Sequence, residues 1–308
     1  MRNIFKYSQL ITIVIIAMLY LWTSCENNND NYSSYTEDVA VNGFLSPQDT
    51  FRVNLSYIKN IWGYRVDSFI TDADIELILP DQKILKLEYD SMKSYVSNKK
   101  QGFYKATELI PYSQGHYTLK IELADNKVIF ATDSLPHAAT LTEYKYFFDT
   151  INNKYQLQLQ FQDNKEKIEY YSISLSITNF QGFYQTKHDN FGISSPNTFI
   201  EAPIWGPLNQ FVFTNKSFEP GIQNVDINLD GWTKNHFANL DSIQFNIKLH
   251  SISKAYYDYA ISFYKQNQAE KDFYAEPVSV FSNIDGGYGI FAGFNTVEAK
   301  IIFIRPIK

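Results

Sequence analysis

Between Val39 and Thr132, apolar residues return at every second position in short runs. Val39–Phe44, Thr50–Ser56, Asp74–Leu79, Ile84–Tyr89, Tyr117–Leu123 and Lys127–Thr132 carry this period of two, which predicts strands with one face buried. Pro80-Asp81, Gln114-Gly115 and Asp125-Asn126 separate the runs with residues that favour turns. Short strands, frequent turns and no helical period predict a mainly β fold, opening with an immunoglobulin-like β-sandwich over residues 37–136.

Leu135-Pro136-His137 marks the expected boundary, and a larger antiparallel β-rich domain is expected over 137–308. Its strands are Tyr155–Phe161 and Tyr171–Ile177, which alternate apolar residues with Gln or Ser, then Ser242–Leu249 and a closing strand at Val297–Ile304. One helix is expected near 253–268. Ser253 suits the N-cap, and Tyr256, Tyr257, Ala260, Ile261 and Tyr264 follow at three- and four-residue spacing, a stripe that reads as core packing. From Phe180 to Asn209 no period is evident and glycine and proline recur, so an irregular segment is expected. Long loops often carry function, which makes Phe183, Tyr184 and Trp205 candidates for contact with a partner or ligand.

The first residues follow a different pattern. Arg2 and Lys6 precede an apolar run from Leu10 to Trp22, the small pair Thr23-Ser24 and then Cys25. That order predicts a lipoprotein signal peptide over 1–24, with Cys25 as the lipidated residue, since the apolar run is too short for a stable bilayer span. Residues 25–36 are polar and aperiodic and read as a flexible tether.

Cys25 is the one cysteine of the chain, so no disulfide can form within it and a lipidated sulfur leaves no thiol for catalysis or metal binding. Removing Arg2 and Lys6 lowers the formal net charge of −6 by a further two. An acidic chain without a basic block argues against nucleic acid as a partner. Aromatic residues make up 17% of the chain, a supply that serves β packing and, secondarily, contact surfaces for sugars.

Candidate chemistry is sparse. Asp226-Ile-Asn228-Leu-Asp230-Gly231 resembles the start of a calcium loop, yet Phe237 stands where the chelating glutamate belongs, and Ile227 and Leu229 fit a strand better. The five histidines show no metal-binding spacing, and no nucleophile elbow is present. No catalytic residue, metal or cofactor is therefore assigned.

Phe273-Tyr274-Ala275-Glu276-Pro277-Val278, followed by the run from Ser282 to Gly293, resembles the C-terminal signature of the Bacteroidetes outer-membrane lipoprotein family catalogued as domain of unknown function 4249. Val41-Asn42-Gly43-Phe44, Asp72–Leu77, Gly102-Phe103-Tyr104 and Gly115–Leu119 also resemble it, so the likeness spans nearly the whole chain after Cys25. It implies an outer-membrane lipoprotein with an N-terminal immunoglobulin-like domain, and gene company with TonB-dependent transporters. It supplies no catalytic or ligand residues. The expectation is a non-enzymatic lipoprotein, anchored by lipid in the outer membrane with the cell surface as the favoured face. It would be an accessory or ligand-binding partner of such a transporter, its ligand unnamed, with a structural or adhesive surface role as the alternative.

Overall fold

The alternating runs of the first half become β1 (Val39–Leu45), β2 (Thr50–Tyr57), β3 (Asp74–Ile78), β4 (Ile84–Lys93), β6 (His116–Glu122) and β7 (Val128–Ser134), in a computed structural model. It describes residues 38–304 apart from 48, 59–68, 94–99, 150–153, 164–166, 182–183, 189–191, 205–209, 219–220 and 231–239. β5 (Lys100–Leu109) has no clean alternation, because both of its faces are covered. Arg52 lies over the Phe103 ring at 5.5 Å on one side, and on the other the buried Tyr104 accepts a hydrogen bond from Ala73 N–H at 2.9 Å.

The expected turns sit where the backbone needs them. Gln82, Gly115 and Asn126 adopt positive φ, following Pro80-Asp81, Gln114 and Asp125. Tyr117 pins the loop before β6 from within the core, its hydroxyl donating to Pro111 O at 2.8 Å and accepting from Ser113 N–H at 3.0 Å. A buried tyrosine bonded back to the upstream backbone is a recurrent corner device of immunoglobulin-like sandwiches.

The second half contains β8 (Thr140–Asp149), β9 (Lys154–Gln162), β10 (Tyr170–Gln181), β11 (Tyr184–His188), β12 (Gly192–Ser194), β13 (Ile200–Ile204), β14 (Gln210–Thr214), β15 (Ile222–Asp230) and β16 (Ser242–Ile252). Helix α1 (Lys254–Ala269), β17 (Ile284–Asp285) and β18 (Tyr288–Ile304) complete it. The segment expected to be irregular therefore holds three short strands. β13 tolerates Pro203 because it is an edge strand with a register shift, and β11 folds back on the end of β10.

The larger sheet runs β13-β14-β10-β16-β18-β1-β2-β5-β4-β3-β6-β7-β17, with β11 joined to β10; a second sheet runs β12-β15-β9-β8. Leu157, Leu159 and Phe161 of the small sheet share a core with Ile173, Leu175, Ile177, Phe245, Ile247 and Leu249 of the large one. The two sheets thus sandwich that core, and each buried Leu, Ile or Phe contributes roughly 1.5–3 kcal/mol.

β18 joins the halves. Its residues 288–293 pair in parallel with β1, and residues 294–304 pair antiparallel with β16. Ile284 and Phe291 belong to the core built by residues 39–135, although they lie far along the chain. Because β17 pairs with β7 and leads through Gly286-Gly287 into β18, the sheet around this first core nearly closes on itself.

α1 begins as expected: the Ser253 side chain accepts from Tyr256 N–H at 3.1 Å. Tyr256, Tyr257, Ala260, Ile261 and Tyr264 pack with Ala202, Val212, Ile252 and Phe294, so the tyrosine stripe is core. Tyr256 also meets Phe44 of β1 edge-to-face, with ring centroids 5.1 Å apart.

Candidate functional site

The glycine-rich signature is a structural clasp. Asn283 behaves like a short piece of strand, its amide donating to Phe291 O at 2.7 Å and accepting from Phe291 N–H at 3.0 Å. Asp133, at the end of β7, accepts from Gly293 N–H at 2.8 Å. Burial raises the Asp133 pKa, while bonds from the Ser253 side chain and the Gly293 and Ser134 amides pull it back. The helix cap, β7 and β18 are thereby tied at one point, and Ile290 and Phe291 are buried beside it.

On the outer face of the large sheet, period two sets Ser172, Ser174, Ser176 and Thr178 of β10 beside His250, Lys248, Asn246 and Gln244 of β16. Ser174 Oγ lies 3.0 Å from His250 Nε2, and Thr296 Oγ1 lies 2.8 Å from His250 Nδ1. Burial and the nearby Lys248 ammonium push the imidazole down to about 4, against an opposing pull from Glu298. The ring is neutral at pH 7, so one nitrogen donates and the other accepts.

A serine hydroxyl on a neutral imidazole is one half of a nucleophile–base arrangement. The other half is a pair of donors aimed at a developing oxyanion. Ser174 sits in mid-strand between β14 and β16, where the surrounding backbone N–H groups are engaged in the two ladders. The three side chains work as a cross-strand lock beside the Lys248–Glu298 ion pair, whose groups are 2.9 Å apart.

The small sheet carries a row of amides on its outer face. Gln156 donates to Asn228 Oδ1 and Gln158 to Asp226 Oδ1, both at 2.7 Å. These contacts place the calcium-like residues Asp226 and Asn228 on β15, alternating with buried Ile227 and Leu229, as the strand reading expects. Gly231 and Phe237 lie outside the described residues. Among the described residues, no group of three or more His, Cys, Asp or Glu side chains is placed to hold a metal ion.

A buried knot ties β9 to β10. Tyr171 OH lies 2.9 Å from Asp163 Oδ1 and 2.5 Å from Glu169 Oε2, and Asn215 donates to both Asp163 oxygens. Burial and the two carboxylates hold the phenol far above its ordinary pKa. It therefore remains a donor and fixes the strand ends.

Of the contact candidates, Tyr184 stands at the β10–β11 hairpin with 80% of its surface exposed. Phe183, Trp205 and Cys25 lie outside the described residues. Among the described residues, the most exposed large apolar side chains are elsewhere: Phe273 at 94% and Tyr274 at 91%, in the turn after α1. In the sequence this pair belongs to the stretch Phe273–Val278 that resembles the family signature. Its local signal is two adjacent aromatic residues between Asp272 and Pro277, inside turn chemistry and without an alternating partner.

The described residues form a mainly β scaffold with one helix packed on the large sheet. The profile of the family described as a domain of unknown function (DUF4249) matches residues 28–300, and the chain belongs to that family. No curated protein matches it.

Proposed function

We propose that this protein is a lipid-anchored outer-membrane protein, held through Cys25 and facing the cell surface, that serves without catalysis as an accessory or ligand-binding partner of a TonB-dependent transporter. The observation that carries the reading is the outward display of Tyr184 at the start of β11 and of Phe273 and Tyr274 from a hydrogen-bonded turn, on a packed β scaffold. Large rings left in water forgo most of their burial energy, which a contact partner can recover. The signal-like order of Arg2, Lys6, the apolar run Leu10–Trp22 and Cys25, with the polar composition of residues 25–36, supports a place at the membrane.

Deletion of the gene tests the reading. Uptake through the partner transporter is expected to fall, with cell attachment unchanged. Normal uptake together with lost attachment would replace this function by the adhesive one.

A further inference from the structure

We infer that the turn bearing Phe273 and Tyr274 is the tip by which the protein docks on the transporter, in an apolar pocket of that partner rimmed by Lys or Arg. The inference rests on the accessory reading and adds the surface and the chemistry of the contact.

The turn is built to hold the two rings out. After α1, Lys271 N–H and Asp272 N–H bond to Gln268 O and Ala269 O, and Ala275 N–H closes back on Asp272 O at 3.0 Å. Phe273 and Tyr274 occupy the two central positions of that closure. Asp272 Oδ1 also accepts from Tyr274 N–H at 3.0 Å, which fixes the backbone beneath the rings. The rings meet edge-to-face with centroids 5.4 Å apart, so they present one joint surface.

The return path is strapped to the helix. Gln266 Oε1 accepts from Val278 N–H at 2.7 Å and Ser262 Oγ from Phe281 N–H at 2.8 Å. α1 is in turn seated on the second half through Tyr256, Ala260 and Ile261, and on β1 through Phe44. The tip is thus preorganised, which lowers the entropy lost on docking. A central aromatic anchor with polar surroundings is the usual composition of an interface hot spot.

Charge selects the kind of partner. Along the chain, exposed Glu270, Asp272 and Glu276 neighbour the pair, against Lys271 alone. An acidic stretch is repelled by anionic headgroups and attracted by a basic rim, so a protein pocket fits it better than a lipid surface.

The test purifies the tagged, full-length protein from detergent-extracted outer membranes, comparing wild type with the Phe273→Ala/Tyr274→Ala double variant. Both rings are exposed, so the variant's thermal melt is expected to match wild type. The inference predicts that the transporter accompanies wild type and that its recovery falls at least about tenfold with the variant. Equal recovery with both proteins would overturn the docking tip and leave the accessory reading standing. No transporter with wild type would remove that reading and the tip together. A photoreactive benzoylphenylalanine at position 273 gives a second measurement: a crosslink to the transporter supports the tip, and a crosslink to lipid alone overturns it in favour of membrane insertion.

Discussion

Replacing Gly289 with alanine is expected to destabilise the fold by about 4 kcal/mol, a large part of the roughly 5–15 kcal/mol that holds a typical domain together. Two effects add. Gly289 has φ near +114°, a conformation that strains an L-residue by about 1–3 kcal/mol. A Cβ there would also lie 2.0 Å from the Val41 carbonyl oxygen, and overpacking of this kind costs about 1–3 kcal/mol more. The neighbour is backbone in the parallel β1–β18 pairing and cannot rotate aside. Gly221 is the control, since it has the same φ but an added Cβ would meet nothing within 4 Å. Gly221→Ala should show only the conformational part. Urea denaturation of both variants measures the difference, and equal stability would mean that β18 does not lie against β1 as described.

Acid should weaken the protein through His250. Its folded pKa of about 4 lies below the ordinary 6.5, so the unfolded chain takes up the proton first. The contribution is complete above pH 6.5 and is lost as pH falls from there to about 4. Its size is on the order of 3 kcal/mol. His250→Gln keeps a hydrogen-bonding side chain but removes the titration, so its stability should be flatter than wild type across that window. Glu298 is held below its ordinary range, first by its bond to Lys248 and least by His250, so its share of the slope changes little in the variant. Parallel wild-type and variant slopes between pH 4 and 6.5 would contradict the buried, neutral imidazole.

The parts of the fold legible in the sequence are those where one face is buried and the other wet. The runs at β1, β2, β3, β6, β7, β9, β10 and β16 alternate cleanly because their outward residues meet water or polar neighbours. β5 escaped notice because Arg52 and the core cover Phe103 and Tyr104 from opposite sides. β18 was legible only from Val297. Its first residues are glycine-rich, and glycine there serves close approach to β1 and β7: a Cβ on Gly293 would lie 2.3 Å from Ser134 O. The closure of the first core by Ile284 and Phe291 depends on contacts across some 150 residues, which no local period encodes.

The same holds for the candidate surfaces. Tyr184 was readable as a residue in a turn-rich segment, and its exposure agrees with that. The side chains of the His250 lock come from three strands brought side by side by the order β10-β16-β18, so spacing along the chain is silent about them. Phe273 and Tyr274 look like core residues by composition. Their exposure follows from a turn whose hydrogen bonds all run through the backbone, Asp272 and α1.

The proposed partnership is tested most directly by the molar ratio of this protein to a TonB-dependent transporter in material released from native outer membranes by mild detergent. Near-equal amounts in one species are expected, with both proteins leaving a sizing column together. Elution of this protein alone, with the transporter recovered intact elsewhere, would contradict the partnership.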